Sequence, residues 1–343
     1  MFYKMLQERN LPALQSREKM LDILQAEEYG ILPPKPTRLS WTVEEDVIKK
    51  FCAGKAVLNK ITLHCEMGDK TFSFPCHLAL PTEEGKHPFF VHINFRADVP
   101  DRYMPTEELI DNGFAVFSFC YKDVTDDNED FSDGLAGVLF GNSGRKPTDA
   151  GKIAMWAWAA HRVMDYAQTL ADQLDLEYAV VCGHSRLGKT ALLTAATDER
   201  FTFAYSNNSG CSGAAITRDK QGETVQKICN RFPYWFCENY KKYIEREAQM
   251  PFDQHYLLAC IAPRKVLVGS ASEDLWADPV SEQLCCVAAA PAFKNGFVFP
   301  NTPAEIGEEF FAGDIGYHLR KGLHYFRRED WQKLIKFVNT HRK

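Results

Sequence analysis

Cys182-Gly183-His184-Ser185-Arg186-Leu187-Gly188-Lys189 sets a serine between glycines where two kinds of local structure meet. Before it, Tyr178-Ala179-Val180-Val181-Cys182 is short and β-branched and reads as a strand; after it, Lys189-Thr190-Ala191-Leu192-Leu193-Thr194-Ala195-Ala196 consists of good helix formers. A sharp turn between the two lifts the Ser185 hydroxyl above a sheet edge, and Gly183 and Gly188 let neighbouring backbone come close. The stretch predicts a nucleophile elbow with Ser185 as nucleophile. It departs from G-x-S-x-G in one respect: Leu187 stands two after the serine, and the glycine follows one later.

Outward from this turn, strand and helix alternate. Apolar runs at 88–95 and 114–119 flank a short helix at 107–112 that stops at Gly113. A longer helical pattern at 153–170 precedes the elbow strand, and 203–206 and 265–271 supply two strands after it. Such alternation predicts an α/β fold, a three-layer sandwich with a mostly parallel central sheet covered by helices on both faces. Upstream, strand-like segments between 58 and 81 predict an antiparallel N-terminal start to that sheet. A helix at 17–28, ended by Gly30 and Pro33-Pro34, predicts an N-terminal helical extension. No stretch reads as a linker or a repeat, so residues 1–343 are expected to form one domain. Ligands on such sheets bind beyond the carboxyl ends of the strands, where Ser185 sits.

Composition narrows the partners. The chain is 45% hydrophobic, enough for a sizeable core, and its net charge of −6 is spread over interspersed residues of both signs. That leaves no basic footprint for nucleic acid or an anionic membrane. Charges interrupt residues 1–10 where a signal peptide needs an apolar run, and no segment approaches a membrane span, so a cytoplasmic protein is expected. Eleven cysteines, an odd number, fall mostly in apolar segments and read as free, reduced thiols. Neither a C-x-x-C pair nor zinc-like His/Cys spacing occurs, and neither metal nor cofactor is expected.

A serine hydroxyl needs a base, and the base needs a third group to fix its tautomer. In α/β-hydrolases the chain order is serine, acid, histidine. Downstream of Ser185 stand His255, His318, His324 and His341. His324, in a loop beside Gly322 and just before a terminal helix at 329–338, is chosen as the base, with His318 its competitor. The acid should follow the strand Lys265–Ala271, where the chain reads Ser272-Glu273-Asp274-Leu275-Trp276-Ala277-Asp278-Pro279. Asp278 reads as the cap of a helix starting near Pro279. Glu273 and Asp274 are the candidate acids; being adjacent they point to opposite sides, and the choice leans to Glu273. The first oxyanion donor is the backbone N–H of Arg186, and a second is expected near Arg96-Ala97. The Arg186 guanidinium either adds a fixed positive charge or anchors the turn through a salt bridge. Lys189 ends the first helical turn, where a lysine is ordinarily solvated. The aromatic run Phe232-Pro233-Tyr234-Trp235-Phe236 is either core or part of a cap over the pocket.

These residues resemble the glucuronoyl esterases, carbohydrate esterases of α/β-hydrolase fold. Gly183-His184-Ser185-Arg186-Leu187-Gly188-Lys189 is similar to that family's G-C-S-R-x-G-K, which accounts for the displaced glycine. Further similar segments are Ser209-Gly210-Cys211-Ser212-Gly213-Ala214-Ala215, Pro251-Phe252-Asp253-Gln254-His255, Ile261-Ala262-Pro263-Arg264 and residues 322–331, together about half the chain from Gly151 onward. The resemblance implies that Ser185 is the nucleophile, that Arg186 helps stabilise the oxyanion, that Lys189 holds sugar hydroxyls of a glucuronate and that Trp276 lines the sugar site. Where many members carry a catalytic glutamate, this chain has Asn208, so the acid falls to Glu273 or Asp274.

The leading expectation is a serine carboxylesterase that opens a small carbohydrate ester, an ester of a glucuronic acid carboxyl group, through an acyl-enzyme. An acetyl esterase acting on acetylated sugars keeps the triad but puts the sugar on the alcohol side. A non-catalytic carbohydrate-binding relative need not keep serine, acid and histidine in order, as this chain does.

Overall fold

In the computed structural model, which describes residues 2–141 and 144–342, the alternating segments upstream of Pro81 form three antiparallel strands. These are β1 (Arg38–Glu44), β2 (Ala56–Met67) and β3 (Lys70–Pro81). β3 joins antiparallel to β5 (Ala115–Cys120), and from there the sheet turns parallel through β4 (His87–Asn94), β6 (Leu174–His184), β7 (Phe203–Asn207), β8 (Lys265–Ala271) and β10 (Ile315–Arg320). The two-residue β9 (Glu309–Phe310) closes the far edge antiparallel. The strand order is β1-β2-β3-β5-β4-β6-β7-β8-β10-β9. β1, β9 and β10 lie outside the strands that the sequence pattern predicts.

Both faces of the parallel strands are covered, because successive side chains point to opposite sides. Phe90, Val116, Val180, Phe203 and Leu267 meet α3 (Thr106–Asp111) and α10 (Arg328–Thr340) through Leu109, Trp331, Leu334 and Phe337. Their neighbours Phe89, Phe117, Val181, Ala204 and Val266 belong to the opposite core layer, with α5 (Lys152–Ala167), α6 (Arg186–Thr197) and α9 (Pro279–Ala289). The result is the three-layer α/β sandwich expected from the pattern. α6 leaves the end of β6 directly, which puts Ser185 at the carboxyl edge of the sheet.

At the N-terminus the predicted helix is present as Arg17–Leu24, prolonged by a π-helical turn to Tyr29 and stopped at Gly30 (φ +87). Among the described residues no helix is long and apolar enough to cross a membrane. All eleven cysteines are unpaired and all but Cys52 are buried.

Candidate active site

Ser185 adopts φ +59 and ψ −125, a conformation that costs an L-residue of order 1–3 kcal/mol and persists only where its surroundings impose it. The glycines explain how. A Cβ on Gly183 would lie 2.2 Å from the Leu187 carbonyl oxygen, and one on Gly188 would meet Ser206 and Ser209 at 3.0 and 3.1 Å. The turn is pinned by the Ser185 N–H donating to Asn207 O (2.9 Å) and by Ser185 O accepting from Gly188 N (2.9 Å). The N–H of Arg186 opens the first turn of α6, where no intrahelical acceptor exists, and is left for an oxygen outside the helix.

A cavity of about 450 Å³ lies against this turn, lined by Ser185, Arg186, Lys189, Asn208, Trp276 and His324 among others. His324 Nδ1 donates to Asp274 Oδ2 at 2.6 Å, which fixes the ring and leaves Nε2 as its free nitrogen. Of the two candidate acids it is Asp274, and not the favoured Glu273, that lies beside His324. The backbone decides it: after β8, Ser272 N bonds Arg320 O and Glu273 N bonds Gly322 O. That pairing turns Glu273 out to solvent and Asp274 in, where it is 4% exposed. Burial disfavours the Asp274 charge, but His324, Asn208 Nδ2 (2.8 Å) and Ala277 N (3.3 Å) outweigh it and hold the carboxyl below its usual range. Asn208, standing where the resemblance led one to look for a glutamate, thus orients the acid by donating to the same oxygen as His324.

The other histidines are used elsewhere. His318 sits inside β10, fully buried against Tyr205 OH (3.0 Å), and burial pushes it down to about 3. His255 bonds Pro12 O and His341 bonds Phe311 O. His184 supports the site: it holds Asn207 Oδ1 at 2.7 Å and packs its ring 4.5 Å from that of His324. Burial, reinforced by that neighbour, keeps His184 neutral, down at about 3. The His324 loop wraps around Arg320, whose buried guanidinium binds Asp330 and the carbonyls of Lys321, Leu323 and Tyr325.

Lys189 is no surface lysine. It is 3% exposed, and its Nζ donates to Ser209 O (2.5 Å) and Cys211 O, with Glu223 at 3.7 Å. Arg186 makes the salt bridge of one reading: its guanidinium pairs with Asp127 and lies 4.6 Å over the Trp235 ring, and the residue also lines the cavity. Phe232 and Trp235, stacked at 3.8 Å, also line it, so part of the aromatic run is wall. Trp276 stands at the mouth, 45% exposed. Of the pair expected to give a second oxyanion donor, Arg96 N bonds Asn94 Oδ1, and Ala97 lines a different cavity. The sequence pattern assigns no role to Asp127, Glu223 and Arg320, which hold Arg186, Lys189 and the His324 loop. Only Asp127 carried a signal, an acidic run just past the carboxyl end of a parallel strand. Asp278 caps α9 as expected, accepting from Ser281 N. Among the described residues no cluster of His, Cys, Asp and Glu is arranged to hold a metal ion.

Known proteins are similar to this chain in sequence and in fold. Residues 63–295 match the family model described as glucuronyl esterase of fungi. Carbohydrate esterase MZ0003, from an unknown prokaryotic organism, is 38% identical over 241 residues, covering 68% of this chain and 55% of its own. A 4-O-methyl-glucuronoyl methylesterase of Thermothelomyces thermophilus is 28% identical over 295 residues, 81% of this chain and 66% of that one. The chain thus spans between about half and two thirds of the length of these curated relatives. The solved glucuronoyl esterase of Solibacter usitatus superposes with a TM-score of 0.86 at 32% identity, over 95% of this chain and 91% of that one. A promiscuous CE15 esterase from a marine bacterial metagenome gives 0.85 at 29%, with the same coverage. Agreement of this extent in sequence and in fold establishes that the chain belongs to the glucuronoyl esterase family.

Proposed function

We propose that this protein is a serine carboxylesterase that hydrolyses an ester of a glucuronic acid carboxyl group through an acyl-enzyme. The observation that carries the reading is the hydrogen bond of 2.6 Å from His324 to Asp274, in one cavity with the strained Ser185 and the buried cation Lys189. Ser185 Oγ gives its proton to His324 Nε2 as it attacks the ester carbonyl. The negative charge that grows on the carbonyl oxygen meets the N–H of Arg186 and its guanidinium. The imidazolium, steadied by Asp274, protonates the departing alcohol, and a water activated by the same ring releases the uronate. Lys189, Glu223 and Trp276 are placed to hold the sugar, two by charge-assisted hydrogen bonds and one by its ring face. No cofactor enters these steps.

Ser185→Ala should abolish turnover of a methyl glucuronate ester in folded protein. If the wild type turns over no uronate ester, the substrate assignment is wrong. We further propose a cytoplasmic setting and therefore a small ester rather than a cell-wall polymer, a reading supported by eleven thiols without a disulfide. Alkylation of protein taken from its own cells should count eleven free thiols, and a disulfide found there would overturn the setting.

A further inference from the structure

Asp127 lies in the loop that follows β5, outside the catalytic set, and its side chain is only 7% exposed. Its Oδ2 accepts from Arg186 Nη1 and from Tyr121 OH (2.9 Å), and its Oδ1 accepts from Trp235 Nε1 (2.7 Å). Its backbone carbonyl takes the Tyr234 hydroxyl at 2.9 Å. One residue thus joins the elbow, the end of β5 and the aromatic wall of the cavity. The guanidinium it grips is also held by its faces, 4.6 Å from the Trp235 ring, 5.2 Å from Phe232 and 5.7 Å from Phe95. Within this sandwich Arg186 Nε is buried and meets no acceptor among the described residues.

We propose that Asp127 is a positioning residue for ester cleavage, holding the Arg186 guanidinium at the place where the oxyanion develops and tying it to the Trp235 wall. The assignment rests on the acyl-enzyme reading above. Its physical sense is preorganisation: a charge clamped before the reaction needs no rearrangement as the oxyanion forms. A free arginine would pay for ordering in each turnover.

The test is a double-mutant cycle on the rate at which a fluorophosphonate labels Ser185, with kcat and KM for a methyl glucuronate ester measured in parallel. Asp127→Asn keeps the shape and removes the charge. It should slow labelling and lower kcat by about 10- to 100-fold, with KM changed less than about threefold. Asp127→Asn combined with Arg186→Ala should label no more slowly than Arg186→Ala alone, because the two act as one unit. Additive losses, or wild-type labelling by Asp127→Asn, would overturn the assignment. If Asp127→Asn does not fold, Asp127→Glu keeps the charge but displaces it, and it must slow labelling only where Arg186 is present. A wild type that labels but opens no uronate ester sinks the substrate reading alone, while the labelling cycle still decides on Asp127. A wild type that does not label sinks both.

Discussion

Between Glu273 and Asp274 a single peptide unit decides which carboxyl can steer His324, and the outcome is set by main-chain pairing rather than by side-chain chemistry. Removing the charge at the inner position, Asp274→Asn, should lower kcat by about 10⁴-fold by releasing the tautomer of the base, whereas Glu273→Gln should change it less than about twofold. Steady-state kinetics on one ester compares the two directly. The folded-state pKa of Asp274 is depressed, so its contribution to stability is fully present above the unfolded value and is lost as pH falls through the lower folded one. Acid denaturation should therefore be less steep in Asp274→Asn. Lys189 separates two chemistries: if it recognises the sugar of a uronate, Lys189→Met should damage uronate-ester turnover far more than turnover of a simple aryl acetate. Equal losses would point to an acetyl esterase. From the sequence Ser185 and His324 could be chosen, by chain order and loop context. Asp274 could not be separated from its neighbour, because the strand β10 that orients the turn was not visible.

Why β10 escaped is a matter of its side chains. Ile315, Tyr317 and Leu319 alternate with Gly316, His318 and Arg320, a pattern that reads as half-solvated, yet all six residues are buried. The two polar ones are accommodated separately: Gly269 leaves room for the His318 ring, Tyr205 bonds it, and Asp330 pairs with Arg320. Such partnerships are long-range and leave no local trace. The elbow is the opposite case, since a strand, two glycines and a helix former are all local signals. Its strain is also measurable. Ser185→Gly should be inactive and more stable by about 1 kcal/mol, since glycine reaches φ +59 without a Cβ clash. Thermal melts of Ser185→Gly against Ser185→Ala isolate this term. A Cβ at Gly183, by contrast, would press on the Leu187 carbonyl at 2.2 Å, and Gly183→Ala should cost several kcal/mol or prevent folding.

Across the whole molecule, two buried acids make stability depend on pH. Glu28 is fully buried, accepts from Gln254 Nε2 at 3.0 and 3.1 Å, and is pushed by burial from its ordinary 4.5 up to about 8. Glu282, which accepts from Gly210 N and Ser270 Oγ beneath the cavity, is raised to about 7 by the same cause. The folded chain keeps protons that the unfolded chain gives up, so stability should fall as pH rises from about 4.5, towards 7 through Glu282 and towards 8 through Glu28. Glu28→Gln should flatten that fall and melt higher than the wild type at pH ~8.5, with little difference at pH ~5. Melting curves over this range check it, and an unchanged slope would count against the buried acid. The loop bearing His324 carries a consequence of another kind. It is wound around Arg320, and that guanidinium is held by Asp330, a residue of the helix that comes after the loop. On the ribosome, therefore, nucleophile and acid emerge well before their base, and the base gains its brace only when α10 has been made. A nascent polypeptide halted at β10 carries a serine with nothing to take its proton, so competence waits for the His324 loop and the helix that braces it.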